Sequence, residues 1–516
     1  MRFAVVGGLL GWLEERKRRL GVMGYDDLLT RLAQALRGET GDIAAQRLRA
    51  RWDVVLVDEF QDTDPVQWEI VRRGFAERGA TTILVGDPKQ AIYAFRGADV
   101  FAYLEAHGAA ETKRTLQTNF RSDRPLIEAY DAIFDGADLG HSGIVYRPVK
   151  AAPDNQTLAL ENAPCPAPVR IRFLEREQFG ITSQRRVVRA DISRPWIAAD
   201  IAADIVSLLS SGATISREGD GTPEKVMPRH IAVLVRTNSE AAAVRDCLGA
   251  SRVPAVINGA GSVFGTEVAD EWRRLLVALD RPGSRANARS AALTCFLGWS
   301  AERLANAPEK ELERIHRSLH RYGRVLRERG VAAMVEEMSA AEGIPARVLG
   351  LEDGERKLTD LRHIAQLLHA EVVNESRGVS ALTAWLHRRV EEAPDDLAEE
   401  RSRRWESDAE AVQVLTIHRS KGLEFPIVYV PYLWTGPRKT DSEPVSFHDR
   451  DGNHRIDVAL EGDAYERHRQ AARVEGFGED LRLAYVALTR AQHQAVLWWN
   501  PGWESGNSPL GRLLFG

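Results

Sequence analysis

The run from residue 53 to 67, "DVVLVDEFQDTDPVQ", is a short apolar stretch that ends in two adjacent acids, Asp58 and Glu59. A β-branched run such as "VVLV" (54–57) is typical of strands in parallel sheets that are covered on both faces. Open α/β sheets bind their ligands beyond the carboxyl ends of the strands, where carboxylates can hold Mg²⁺ beside a phosphate chain. The alternative is a solvated acidic loop that follows a core strand.

The residues that follow indicate a βαβ unit. The segment "DPVQWEIVRRGFAE" (64–77) predicts a helix, because Asp64 can cap it and Pro65 suits its first turn. A second apolar run, "TTILVGD" (81–87), then repeats the strand pattern. Strand, helix and strand at this spacing predict an open parallel sheet.

Later runs extend the α/β prediction along the chain. Four of them predict a second sheet: "IAVLVRTN" (231–238), "VQVLTIH" (412–418), "IVYV" (427–430) and "AVLWW" (495–499). From about 265 to 400 the strand pattern is almost absent, and apolar residues recur at helical spacing, as at Leu358, Leu361, Ile364, Ala365 and Leu368. We predict an all-helical domain inserted into the second sheet domain, and helices also in the first fifty residues.

Composition narrows the class of protein. The 516 residues leave room for several domains, and 44% hydrophobic with 28% charged residues is ordinary for a globular protein. The net charge of -5 does not point to nucleic acid, although an enzyme can confine its basic residues to one groove. No run approaches the ~18 apolar residues of a membrane span. Three widely spaced cysteines suggest neither zinc nor disulfides, so a cytoplasmic protein is expected.

The segment "VGDPKQAIYAFRGAD" (85–99) carries a second set of candidate residues. Gln90 can sense a γ-phosphate. Tyr93 and Phe95 alternate, so both rings can stack on unpaired bases while Arg96 pairs with a backbone phosphate. The alternative is that both aromatic side chains belong to the core.

The segment "LQTNFRSD" (116–123) adds an aromatic residue beside a permanent cation. Phe120 can stack on a purine, and Arg121 suits phosphate oxygens. A helix cap followed by a surface arginine explains the same residues.

Two segments near the C-terminus complete the set. In "VLTIHRSKGLEFPIVYV" (414–430), His418, Lys421 and Glu424 fall in a loop between two strands. Lys421 lacks the preceding glycines of a phosphate loop, and a lone histidine is more often structural than catalytic. The segment "GEDLRLAYVALTRAQHQ" (478–494) predicts an amphipathic helix that ends at Arg490, and salt-bridged surface positions are the default for Arg482 and Arg490.

In order and spacing these segments resemble motifs II to VI of the UvrD-like superfamily 1 helicases. The matching runs are "DEFQDTDP" (58–65, motif II), "GDPKQAIYAFRGAD" (86–99, motif III), "LQTNFRSD" (116–123, motif IV), "HRSKGLEFP" (418–426, motif V) and "EDLRLAYVALTR" (479–490, motif VI). The resemblance extends to "GVMGYDDLL" (21–29), "SVFGTE" (262–267), "GERKLTD" (354–360) and "SPLGRLL" (508–514), so it covers essentially the whole chain.

The resemblance implies a domain plan and an activity. Two RecA-like domains would clamp ATP and move along single-stranded DNA in the 3′→5′ direction, in recombination and double-strand-break repair and together with partner subunits. Residues 1–115 would form part of the first RecA-like domain. Residues 116–262 and 406–516 would form the second, and 263–405 the helical accessory domain.

The resemblance also implies a role for each candidate residue. Asp58 would hold Mg²⁺ and Glu59 would polarise the attacking water, with Gln90, Arg121 and Arg490 at the γ-phosphate. The other nucleotide contacts would be Gln61, Asp62, Phe120 and Glu424. The DNA contacts would be Tyr93, Phe95, Arg96 and His418.

The phosphate loop of this family, G-x-x-x-x-G-K-[ST], does not occur in the sequence. The family carries it well upstream of motif II, so the chain is expected to be an incomplete motor, and no cluster of nuclease carboxylates can be placed in it. Two hypotheses follow. The chain is either the motor portion of a helicase whose other half lies elsewhere, or an inactive remnant that binds DNA or a partner subunit without ATP turnover.

Overall fold

The computed structural model describes residues 2–181, 187–216, 223–257, 262–351, 354–375, 378–393, 410–436, 444–449, 452–503 and 505–515. The chain divides into two compact units. The first consists of Met1–Ser251 and Thr416–Gly516, and the second of Arg252–Leu415. The three domain boundaries expected from the sequence stay predictions, and the one near 405 lies outside the described residues.

The α-helices of the first unit are α1 (Arg2–Leu20), α2 (Tyr25–Arg37), α3 (Gly41–Arg49), α4 (Pro65–Gly74), α5 (Val100–Ala109), α6 (Arg124–Phe134), α7 (Ala190–Ser210), α8 (Asn238–Ala250), α16 (Asp463–Leu488) and α17 (Pro509–Phe515). Those of the second unit are α9 (Glu267–Asp280), α10 (Arg285–Ala292), α11 (Ala301–Ala305), α12 (Glu309–Glu342), α13 (Ile344–Leu349), α14 (Gly354–Glu375) and α15 (Val379–Glu392). None of the helices in the described ranges has the length and hydropathy of a membrane span.

The strands are β1 (Val54–Val57), β2 (Thr81–Leu84), β3 (Thr118–Asn119), β4 (Lys150–Ala151), β5 (Leu160–Glu161), β6 (Val169–Phe173), β7 (Thr214–Ile215), β8 (Glu224–Lys225), β9 (Ile231–Val235), β10 (Ala255–Ile257), β11 (Val412–Thr416), β12 (Phe425–Val430), β13 (Val445–His448), β14 (His454–Asp457) and β15 (Ala491–Trp499). The pairs β1–β2 and β3–β4 are parallel, β5, β7 and β8 form a small antiparallel sheet, and β13–β14 is an antiparallel hairpin.

The predicted βαβ unit is confirmed as β1, α4 and β2. The register pairs Val54 with Thr81 and Val57 with Leu84, in parallel. Asp64 caps α4 by accepting a hydrogen bond from the Gln67 backbone at 2.8 Å, and Pro65 occupies the first turn. This capping box satisfies backbone donors at the helix start, which explains why the chain turns sharply after the acidic residues.

The prediction that β1 is covered on both faces is wrong for the described residues. One face packs on α4 and α5, where Val57 and Leu84 contact the cluster of Phe60, Trp68, Ala102 and Ala106. The opposite face is open. Four apolar side chains on it are exposed: Val54 (56%), Leu56 (63%), Ile83 (43%) and Val85 (44%). The period-2 alternation of a strand turns these side chains away from the helices.

The larger parallel sheet of the first unit holds four strands in the order β9-β12-β15-β6. The first three are among the predicted runs, and β9 is buried at every position, as expected for a central parallel strand. The sequence analysis does not predict β6, "VRIRF" (169–173), because its arginines interrupt the apolar run. Arg170 and Arg172 form ion pairs at 2.7 Å with Asp204 and Asp200 on α7, which neutralise both charges at the sheet.

The second unit contains α9 to α15 and the parallel strand pair β10–β11. Its core surrounds Trp272, which is fully buried, packs edge-on against Phe296 at 4.7 Å and donates to the Leu361 carbonyl at 3.2 Å. The five residues whose helical spacing was noted in α14 are all buried in this core. The helical character predicted between 265 and 400 is therefore confirmed as far as residue 393, where the described range ends.

Candidate functional site

The acidic residues of motif II lie in a tight turn after β1. Asp58 and Glu59 are exposed, and Glu59 adopts a left-handed backbone conformation with φ of 50°. Its amide donates to the Asp58 carboxylate at 2.8 Å. A residue other than glycine in this conformation costs roughly 1–3 kcal/mol and is found mainly where function requires it. The turn therefore holds both carboxylates outward at the carboxyl end of the strand.

Gln61 joins motif II to motif III. Its side chain is 1% exposed, donates to the Glu59 carboxylate and accepts from the Asp87 backbone at 2.9 Å. Gly86 makes this close approach possible, because a Cβ at that position would lie 2.7 Å from the Gln61 amide oxygen. Gln90 follows in a short 3-10 turn and donates to the Asp87 carboxylate at 3.3 Å. Gln61, Asp87 and Gln90 thus form one hydrogen-bonded chain beside Glu59.

Lys421 of motif V is the main site residue that the sequence reasoning missed. Its ammonium group pairs with Asp62, lies 3.4 Å from the Glu59 carboxylate and donates to the Gln90 carbonyl at 3.1 Å. The side chain is only 6% exposed. Burial raises the pKa of Asp62, Lys421 opposes this effect and Glu59 adds to it. The position of Lys421 between His418 and Glu424 was the available signal for its role, but the sequence analysis considers Lys421 only as a phosphate-loop lysine.

The Arg121 side chain of motif IV connects to motifs V and VI. Its guanidinium pairs with Glu424 at 2.8 Å and donates to the Thr489 carbonyl at 3.0 Å. Neighbouring bonds fix the backbone, since Asn119 accepts from the Arg121 amide at 2.8 Å. Phe120 projects outward and is 78% exposed, so its ring is available for stacking.

The expectation that Arg482 and Arg490 are surface residues is wrong, because both are buried within the first unit. Helix α16 begins at Asp463 and ends at Leu488, so Arg490 lies just beyond it. Arg490 donates to the carbonyls of Val486 at 3.0 Å and Leu423 at 3.3 Å. Burial and, secondarily, Arg121 lower its pKa to about 10, while Glu59 is among the groups that oppose the shift. Arg490 is therefore electrostatically coupled to the motif II acid and to Arg121.

Arg482 contacts backbone carbonyls in place of the salt bridge that the sequence predicts. Its guanidinium donates at 2.8 Å to the carbonyls of Ala91 in motif III and Leu139. Carbonyl acceptors satisfy a buried guanidinium geometrically, although burial still lowers the pKa of Arg482. One arginine of motif VI thus holds motif III in place.

The aromatic residues of motif III form a cluster with His418. Phe95 lies 5.2 Å from the His418 ring, and Tyr93 lies 6.0 Å from the Phe95 ring. Arg96 sits over the Tyr93 ring at 5.2 Å, and the Tyr93 hydroxyl donates to the His418 carbonyl at 3.0 Å. Phe95 is 59% exposed. The alternative that both aromatic residues belong to the core is therefore wrong for Phe95.

Positive charge surrounds this aromatic cluster. Burial, Arg236 and Arg96 together lower the pKa of His418, and burial and Arg96 lower the pKa of Arg419. Arg236 pairs with Asp480 of α16. It follows β9 directly, so the rule that ligands bind beyond the carboxyl ends of parallel strands was the signal for it. An exposed ring beside several cations is typical of surfaces that bind single-stranded polynucleotides.

The donor set at motif II suits Mg²⁺. This ion is usually held by one or two carboxylates together with substrate phosphates, and Asp58 and Glu59 offer two exposed carboxylates. One buried oxygen of Asp62 also has no hydrogen-bond partner. Within the described residues no cluster of three or more His, Cys, Asp or Glu side chains is placed to hold a metal ion by itself. Water and the oxygens of a bound phosphate chain would complete the ligand set of such an ion.

Comparison with known proteins matches two family descriptions. Residues 5–111 match the UvrD/REP helicase N-terminal domain, and residues 302–501 match the UvrD-like helicase C-terminal domain. Among curated proteins, the chain is 44% identical to the RecBCD enzyme subunit RecB of Mycolicibacterium smegmatis over 100% of its own length and 46% of that relative. It is 42% identical to RecB of Mycobacterium tuberculosis H37Rv over 100% of its own length and 46% of that relative. It is 36% identical to RecB of Escherichia coli K12 over 96% of its own length and 42% of that relative.

The chain spans less than half the length of these relatives. Within that span the similarity runs through all five motifs that the structure brings together in the first unit. Both matching family descriptions name the same kind of protein. Residues 5–111 and 302–501 are therefore identified as UvrD-like helicase domains, and the chain as a whole is similar to RecB subunits.

Proposed function

We propose that the chain is the motor portion of an ATP-dependent DNA helicase of the RecB type that moves 3′→5′ in recombination and double-strand-break repair. The observation that carries the proposal is the meeting of five motifs in one unit. Lys421 of motif V contacts motifs II and III, Arg121 of motif IV contacts motifs V and VI, and Arg482 of motif VI contacts motif III.

The proposed nucleotide site uses the charged groups around this meeting point. Asp58 would hold Mg²⁺, which shields charge on the phosphates when bound. Glu59 would orient the attacking water, and Gln90 would respond to the γ-phosphate. Arg121 and Arg490 would stabilise charge on the transferring group, since arginines placed there have large effects on phosphoryl transfer.

The remaining nucleotide contacts follow from exposure and position. Phe120 would stack on the adenine and Glu424 would accept from the ribose. Glu424 now pairs with Arg121 and accepts from Gln492 at 3.0 Å, so nucleotide binding would compete with these contacts. Gln61 and Asp62 would keep the motif II turn in register with motifs III and V.

The proposed DNA site is the cluster of Tyr93, Phe95, Arg96 and His418. It connects to the nucleotide site through Lys421, whose ammonium lies 5.1 Å from the Tyr93 ring and also pairs with Asp62. A rearrangement at motif II would therefore reach the DNA-contacting rings through one side chain. The substrates would be single-stranded DNA and double-stranded DNA ends, and the partners RecC- and RecD-like subunits.

A second candidate function is DNA or RecC-like partner binding without ATP turnover. The observation that favours it is the absence of G-x-x-x-x-G-K-[ST] from the 516 residues. The genomic reading frame next to the first codon discriminates between the two. A phosphate loop encoded there, in frame or in an adjacent gene, supports the motor.

The substitution Phe95→Ala tests the DNA site. Base stacking contributes ~1–3 kcal/mol, so binding of oligo-dT at fixed salt is expected to weaken about tenfold or more. Phe173→Ala is the matched control, because Phe173 is 58% exposed, against 59% for Phe95, and lies on the outer strand β6 of the same unit. Equal affinities for Phe95→Ala and the unmodified chain would remove Phe95 from the DNA site.

A further inference from the structure

The hairpin β13–β14 lies between motifs V and VI in the sequence, and no motif includes it. At the end of β13, His448 binds α16 twice. Its backbone amide donates to one Glu475 oxygen at 2.8 Å, and its ring Nδ1 contacts the other at 2.9 Å. The carboxylate of Glu475 is therefore fully engaged by one residue of the hairpin.

The other side of the His448 ring contacts the start of α5. Nε2 lies 3.1 Å from the Asp99 carboxylate, and the ring stacks on Phe101 with centroids 4.1 Å apart. Gly452 in the hairpin turn also packs against Phe101, since a Cβ there would lie 3.5 Å from that ring. The hairpin thus connects α16 to the first turn of α5.

Asp99 is the last residue of motif III and is itself well anchored. Its other carboxylate oxygen caps α5 by accepting from the Phe101 amide at 2.8 Å, and its own amide donates to the Thr63 carbonyl at 3.2 Å. The exposed stretch 94–97, which includes Phe95 and Arg96, therefore lies between two fixed points. Arg482 holds the Ala91 carbonyl before it, and His448 holds Asp99 after it.

We propose that His448 is a positioning residue for the DNA-contacting loop, and that it acts as an imidazolium clamped between Asp99 and Glu475. The proposal rests on the proposed function, since it concerns the same DNA site. Both ring nitrogens can donate to carboxylates only when the ring is protonated. A neutral ring would leave one of the two carboxylates without its donor.

The surrounding charges agree with a protonated ring. Burial alone would lower the pKa of His448, but the hydrogen bonds to Asp99 and Glu475 outweigh it and raise the pKa to about 9. The other titratable groups nearby are His454 of β14, 5.1 Å from the ring, His141 against Phe101, and Arg482, which senses Glu475. Because the pKa is raised on folding, the stabilisation is complete below 6.5 and is lost as the pH rises through about 9.

Three variants test the proposal. His448→Gln keeps polar atoms but cannot carry charge, whereas His448→Arg is always charged. His468→Gln is the matched control, because His468 also pairs with a carboxylate, Asp457 at 2.6 Å, and stacks on Phe447 of the same hairpin. Unlike His448, it contacts neither Asp99 nor Phe101 in these bonds.

The first measurement is oligo-dT affinity from pH 7.5 to 10. At pH 7.5, His448→Gln is expected to bind roughly 2- to 30-fold more weakly, the range for residues that act without touching the ligand. The unmodified chain and His468→Gln should lose affinity through about pH 9. His448→Gln should lack this step, and His448→Arg should retain affinity without it. Parent-like affinity and an unchanged pH profile in His448→Gln, or an equal loss in His468→Gln, would overturn the proposal.

The second measurement does not need DNA and separates the two proposals. Hydrogen exchange at pH 7.5 should become faster in peptides covering 93–109 for His448→Gln, and not for His468→Gln. If the unmodified chain does not bind oligo-dT, the proposed function fails while this comparison still tests the clamp. If His448→Gln does not fold, Glu475→Gln serves instead, and it should move the pH step to lower pH. An unmoved step would also overturn the proposal.

Discussion

Replacing Lys421 by methionine is expected to destabilise the first unit, because it leaves Asp62 partly buried without its cation. Removing one partner of a fully buried pair costs ~3–5 kcal/mol, and an exposed pair contributes ~0–1 kcal/mol. Here the lysine side chain is 6% exposed and that of Asp62 is 22% exposed. We therefore expect a loss of about 2 kcal/mol in the free energy of unfolding at neutral pH.

The pH dependence of this loss follows from Asp62. Its pKa is already raised by burial and would rise further once Lys421 no longer opposes that effect. The neutral carboxyl is the better tolerated form, so the unfolding penalty of Lys421→Met should shrink as the pH falls through the raised pKa of Asp62. In an Asp62→Asn background, Lys421→Met should cost much less than about 2 kcal/mol at every pH, because position 62 then carries no carboxylate.

The assay is a double-mutant cycle of Lys421→Met and Asp62→Asn in urea, read by circular dichroism and tryptophan fluorescence. The two units can unfold separately, so the fluorescence transition that Trp68→Phe removes should be used to identify the first unit. Trp68 reports on this unit because its ring lies 5.5 Å from that of Phe60. Arg124→Met is the control, because the Arg124–Glu128 pair is 57% and 60% exposed. A coupling energy near zero, or a penalty that does not depend on pH, would refute the reasoning.

The remaining predictions concern the whole chain. By itself the chain should hydrolyse ATP more slowly than roughly once per second, with or without DNA, because each missing phosphate-stabilising donor costs ~10²–10³ in rate. Glu59→Gln is the control for contaminating ATPase. Faster turnover that this substitution abolishes would contradict the prediction. Replacing residues 263–405 by a short linker should leave a folded remainder by circular dichroism and thermal melting. Collapse of that remainder would place the insertion boundaries elsewhere.

The sequence predicted the elements whose signals are local. Asp64 and Pro65 mark the start of α4 from their immediate neighbours, and "VVLV" marks β1. Long-range pairings were not accessible in this way. Lys421 meets Asp62 across 359 positions, and the buried Arg490 is satisfied by carbonyls that include that of Leu423, 67 positions away. Such contacts depend on the tertiary arrangement and leave no periodic pattern.

The same limit explains the misreading of charged residues. An arginine in a sequence is assigned to the surface by default, and Arg482 violates that rule because carbonyls of Ala91 and Leu139 surround it. The strand β6 was missed for a related reason, since Arg170 and Arg172 are neutralised by aspartates on a helix that follows much later. His448 belongs to no motif, so its two carboxylate partners became apparent only in the fold.

The open face of the β1–β2 sheet has a consequence for handling the protein. Val54, Leu56, Ile83 and Val85 present branched side chains to water, and within the described residues nothing covers them. Contiguous apolar surface of this kind promotes adhesion between molecules at high concentration. Each strand is only four residues long, however, shorter than the five- to seven-residue windows that seed fibrils, and Asp53 and Asp58 bracket the first of them. Association through this face should therefore be reversible on dilution, which makes light scattering at graded concentration the sensible first step after purification.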